Sequence, residues 1–79
     1  MVKLEFHRFT LGDVEDPDIY AAQPIWEWQQ TDKGRWVMDH AIDPSYSIRT
    51  DPHSYAYMVV IYGTLEDRAA TEYILRYGK

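Results

Sequence analysis

From Tyr55 to Tyr62 the chain reads Tyr-Ala-Tyr-Met-Val-Val-Ile-Tyr, eight residues without a charge. On a strand, Tyr55, Tyr57, Val59 and Ile61 point one way, and Ala56, Met58, Val60 and Tyr62 point the other. Both faces are then apolar, the pattern of a strand in the middle of a sheet rather than at its edge. The rest of the 79 residues must be arranged around it. A chain of this length is expected to form one compact domain, residues 1–79. It buries roughly 60% of the surface that its unfolded form exposes, too little to build a cofactor domain beside a substrate domain.

Val2 to Leu11 reads as a second strand, with Val2, Leu4 and Phe6 alternating against Lys3, Glu5 and His7. The alternation slips at Arg8-Phe9, through a bulge or because the strand is ending. Asp16-Pro17 is a helix start, since Asp accepts from free backbone N–H groups and Pro at the first helical position loses no hydrogen bond. A short helix from Pro17 to Gln23 follows, stopped by Pro24, which lacks an N–H and clashes with the preceding turn.

The segment from Pro24 to Ala41 has two readings. As one long helix it gathers Ile25, Trp28 and Trp36 on one arc, with Gly34 in the interior at about 1 kcal/mol relative to Ala. As a hairpin it alternates Trp26 and Trp28 with Glu27 and Gln29 and turns at Asp32-Lys33-Gly34. The helix is favoured by its length, its initial Pro and its Gln-rich middle. Asp43-Pro44 ends it, Ser45 to Thr50 is a short strand, and Asp51-Pro52-His53 is a turn. Ser54 to Thr64 is the central strand. Thr64 to Tyr77 reads as a helix capped by Thr64, with Gly78 just past its end. The β-prone residues 71–77 leave a short helix followed by a strand as the alternative.

These elements make an α+β chain in the order β-α-β-β-α. A right-handed crossover through the long helix predicts that the first strand is parallel to the third, and a hairpin makes the second antiparallel to it. The expectation is a three-stranded mixed sheet, order 1-3-2, with the helices packed on one face.

Two stretches carry a resemblance. One runs from Asp13 to Thr31, with Asp13-Val14-Glu15-Asp16-Pro17-Asp18-Ile19-Tyr20 leading into Pro24-Ile25-Trp26-Glu27-Trp28-Gln29-Gln30, and continues through Gly34-Arg35-Trp36-Val37-Met38-Asp39-His40-Ala41. The other is Glu72-Tyr73-Ile74-Leu75-Arg76-Tyr77-Gly78. Together they resemble small uncharacterised proteins encoded by contractile-tailed bacteriophages. The resemblance covers most of the chain and implies a place in an infected bacterial cell. It brings no catalytic or binding residue with it.

Composition narrows the chemistry. With 13 acidic and eight basic residues the net charge is −5, which disfavours general binding to a phosphate backbone. Cysteine is absent, which removes disulfides, thiolate nucleophiles and Cys-ligated zinc. The first residues contain no continuous apolar core of a signal peptide, and no run approaches a membrane span, so a cytoplasmic location is expected. Asp13, Glu15, Asp16 and Asp18 lack the loop pattern of a calcium site and read as a solvated loop with a helix cap. His7, His40 and His53 are scattered without His-x-x-x-His spacing, so no metal and no cofactor is expected. The serines lie in no Gly-x-Ser-x-Gly elbow, and the four glycines are isolated, so no phosphate loop exists.

The aromatic residues remain. Trp26 and Trp28 are about 200° apart on a helix, so one packs inward while the other faces solvent or a partner. Trp26, Trp28, Trp36, Tyr55, Tyr57 and Tyr62 are the candidate partner-binding residues, since Trp and Tyr dominate interface hot spots. The expected function is that of a small acidic protein-interaction module. It would act by binding a second copy of itself as a homodimer, a host protein or a phage component. The alternatives are an acidic nucleic-acid mimic that inhibits a host protein, a small hydrolase with its site between subunits, and an aromatic single-strand binder. The last has stacking side chains but lacks the basic groove, so nucleic-acid binding is not expected.

Overall fold

A computed structural model describes residues 1–12, 14–53 and 56–78. The elements are β1 (Val2–Leu11), α1 (Pro17–Gln29), α2 (Asp32–His40), β2 (Ile42–Thr50), β3 (Tyr57–Leu65) and α3 (Asp67–Tyr77). The strand order is β1-β3-β2, with the apolar strand in the centre as its two faces require. The class is α+β, and the element order is β-α-α-β-β-α.

The sheet is not mixed. β3 is antiparallel to both β1 and β2. The strand that follows the helical crossover is β2, so β2 is the one parallel to β1, two positions away. The hairpin then reverses the chain and inserts β3 between them. The expected parallel pairing of β1 with β3 is therefore wrong; the strands that the helical connection leaves parallel are β1 and β2.

β1 continues to Leu11 because a bulge absorbs the slip in its pattern. The register shifts between Glu5 and His7, so Leu4 pairs with Gly63 and Phe9 with Val59. Both Phe6 and His7 then reach the same side as Phe9 and Leu11. A second register shift lies between Ile42 and Ser45 in β2. There Asp43 has φ 51°, a left-handed conformation that Asp tolerates better than most residues. This irregular start carries β2 back to Ile42, three residues before the position that the sequence suggests.

The region from Pro24 to Ala41 is helical, but not as one helix. α1 runs through Pro24 from Pro17 to Gln29, and the break comes at Gln30-Thr31. Thr31 decides it. Its Oγ1 accepts from the Gly34 N–H at 3.0 Å and donates to the Trp28 carbonyl at 2.6 Å. One hydroxyl thus closes α1 and caps α2. Gly34 then permits the two helices to approach, since a Cβ there would lie 1.8 Å from the Trp28 carbonyl oxygen. Asp16 precedes α1 as expected, although its side chain makes no capping hydrogen bond.

Residues 71–77 are helical, and the strand alternative fails. Thr64 is not the cap of α3; it is paired in β3 with Lys3, and Glu66 occupies the capping position. Gly78 follows the helix at φ 72°, where a side chain is disfavoured. The Asp51-Pro52-His53 turn forms, with Asp51 Oδ1 accepting from the His53 N–H at 2.9 Å.

The main core gathers Phe6 from β1, Trp28 from α1, Trp36 and Val37 from α2, Ile61 and Leu65 from β3, and Ala70 and Tyr73 from α3. Leu11, Ala21 and Val59 form a smaller cluster beside it, with Ile25, Ile48 and Tyr57 packed against it. No helix is long and apolar enough to cross a membrane, among the described residues.

Candidate interaction surfaces

α1 is apolar on two sides. Its inner side carries Ala21 and Trp28, both buried, with Trp28 only 6% exposed. Its outer side carries Ile19 and Trp26, seven residues apart and therefore aligned, with Ala22 and Gln23 between them. Trp26 is 58% exposed, Ile19 is 69% exposed and the neighbouring Tyr20 is 58% exposed. The two tryptophans therefore diverge as helical geometry demands: one is core and the other is surface.

Trp28 and Trp36 are held by the interior. The Trp28 ring stacks on His7 with centroids 5.5 Å apart and an interplanar angle of 13°. The imidazole is partly desolvated there, and the Lys33 charge adds to the effect, so its pKa lies below the ordinary histidine value of 6.5. Trp36 stacks on His40 at 4.1 Å, and the His40 ring Nδ1 lies 2.7 Å from the Trp36 carbonyl oxygen. Trp36 Nε1 donates to Glu72 Oε2 at 3.0 Å, which ties α2 to α3, and Glu72 also pairs with Arg76. A buried indole N–H left without an acceptor is costly, so this contact is structural in character.

The tyrosines separate. Tyr57 packs against the smaller core cluster. Tyr62 is half-buried, with Lys3 Nζ 5.2 Å from its ring centroid. Tyr55 lies outside the described residues. The five described aromatic candidates therefore do not converge: Trp28 and Trp36 are in the core, Trp26 is on the outer side of α1, and Tyr57 and Tyr62 occupy odd and even positions of β3.

Ile19 was not legible as a same-face neighbour of Trp26 in the sequence. Its seven-residue offset becomes visible only once α1 is read through Pro24, and the proline invites cutting the helix there. Among the described residues, no three His, Asp or Glu side chains are grouped so that they would hold a metal ion.

No family model matches the chain. No curated protein and no solved structure shows significant similarity to it either.

Proposed function

We propose that this protein works by contact rather than catalysis, as a small acidic interaction module whose docking surface is the outer side of α1. The observation that carries this reading is the exposure of Trp26 on a helix that has already buried Trp28. A large aromatic ring held in water, with Ile19 exposed on the same face two turns away, is the composition of an interface hot spot, and such anchors supply most of the binding energy of a contact. The proposed partner is a second copy. An antiparallel pairing of two α1 helices about a two-fold axis sets Trp26 of each copy against Ile19 of the other.

Three further points belong to the same reading. All three helices lie on one face of the sheet, supported by the odd positions Ile61 and Leu65 of β3 sharing a core with residues of every helix. The chain is phage-encoded, supported by its resemblance to proteins of contractile-tailed phages. It acts in the cytoplasm of the infected bacterium, which agrees with the absence of cysteine.

Sedimentation tests the reading. The wild type is expected to dimerise by high micromolar concentration, and Trp26→Ala to remain monomeric with its melting temperature nearly unchanged, because an exposed side chain contributes little to the fold. α1 carries Asp18 and Glu27 and no basic residue, so two copies repel. Added salt should therefore strengthen the dimer by screening. A wild type that stays monomeric, or a Trp26→Ala variant that dimerises normally, refutes the proposal.

A further inference from the structure

The net charge of −5 conceals a segregation. Read across the sheet in register, the even positions of β3 are flanked by polar residues. Thr64 lies opposite Lys3, Tyr62 lies between Glu5 and Ser45, Val60 between Arg8 and Ser47, and Met58 between Thr10 and Arg49. This surface holds three basic residues and one acid. Glu5 is spent on Arg8, whose guanidinium donates to both its carboxylate oxygens at 2.7 and 3.1 Å. Lys3 and Arg49 are exposed, and neither is in an ion pair with a described residue. Two uncompensated positive charges thus stand on opposite edge strands of an otherwise acidic protein.

Between them lies a depression of about 300 Å³ lined by strand residues alone, among them Lys3, Arg49, Val60 and Tyr62. Its wall includes Ser47, whose Oγ is buried and is the one such side-chain oxygen or nitrogen without a hydrogen-bond partner among the described residues. The Tyr62 ring is partly exposed beside it, with the Lys3 ammonium 5.2 Å from the ring centroid.

We propose that this sheet surface binds a short single-stranded nucleic acid, with one base stacked on Tyr62 and the flanking phosphates held by Lys3 and Arg49. These are the parts that single-strand recognition requires: a π-face at the centre and cations on either side at the backbone. Lys3 leaves the ring for a phosphate as the base arrives. A duplex is excluded because its bases are stacked away from Tyr62 and its broad phosphate surface meets the acidic remainder of the protein. An acidic peptide would satisfy Lys3 and Arg49 but would leave Tyr62 without a role, so the aromatic ring favours the nucleic acid.

The test is fluorescence anisotropy of a labelled oligothymidylate of about eight nucleotides, the scale of a single-strand site. Binding should weaken with salt at a logarithmic slope near −1.4, that is about −0.7 for each of two phosphates neutralised. Lys3→Ala with Arg49→Ala, both at exposed positions, should flatten that slope. Tyr62→Val, which keeps a strand-forming residue, should weaken binding about tenfold, and Tyr62→Phe should restore it. Trp26→Ala should bind the oligonucleotide as the wild type does, which separates this site from the α1 surface. The proposal is overturned by any of four results: no binding at millimolar protein, equal affinity for a duplex, equal affinity in Tyr62→Val with its melt unchanged, or an Asp/Glu-rich peptide that competes at equal affinity.

Discussion

Gly34→Ala tests the packing of α1 on α2. In an ordinary helix this change stabilises by about 1 kcal/mol, because Gly has more conformational freedom to lose. Here the Cβ would sit 1.8 Å from the Trp28 carbonyl oxygen, 2.7 Å from its carbon and 2.9 Å from the Gln29 Cα. All three atoms are backbone, so no rotamer change relieves the clash. The helices must separate by more than 1 Å to bring the first contact to the 3.0 Å limit that Cβ atoms respect. That separation disturbs the Thr31 hydroxyl bridge and lifts Trp28 and Trp36 from a common core. Overpacking alone costs about 1–3 kcal/mol, and loss of a capping hydrogen bond adds about 1. A net loss of about 3 kcal/mol corresponds to roughly 12–24 °C in Tm for a domain of this size. Thermal melts followed by circular dichroism would measure it. Gly12→Ala is the control, since nothing lies within 4 Å of a Cβ there. A Gly34→Ala protein as stable as the wild type, or more so, would show that the helix approach is wrong.

Two other perturbations follow from the core. Trp28→Ala removes a ring packed against His7 and the main cluster and should cost about 3–5 kcal/mol, enough to unfold much of a marginal domain at 37 °C; chemical denaturation at lower temperature would quantify it, and a cost below about 1 kcal/mol would contradict the burial of the ring. The lowered pKa of His7 means that the unfolded chain binds this proton more readily than the folded one, so its contribution to stability is present above about pH 6.5 and is lost as pH falls through the folded value. Melts at descending pH should show a decline that His7→Gln reduces, and an identical decline in both proteins would remove His7 as its source.

The elements were largely legible in the sequence where a pattern is local. Both faces of β3 are apolar, and that alone puts it in the centre of the sheet. Pro17 opens α1 through its fixed backbone, without a side-chain cap from Asp16, and Asp51-Pro52-His53 makes a turn because the Asp51 carboxylate bonds its own backbone. Trp26 and Trp28 had to diverge once the segment was helical, since the angle between them is a property of the helix.

What the sequence left open depends on atoms distant along the chain. Pro24 argues for a break, yet α1 continues through it. The break falls instead where the Thr31 hydroxyl can serve two helix ends. The value of Gly34 reverses sign because the neighbouring helix, not its own, sets the available space. Strand direction depended on which strand received the crossover: β2 did, and β3 lies between β1 and β2, antiparallel to both. Lys3 and Arg49 are 46 residues apart in the sequence, and only their register with β3 brings them to one surface around Tyr62. Periodicity assigns a residue to a face of its own element. Which face meets which is decided by packing the elements together.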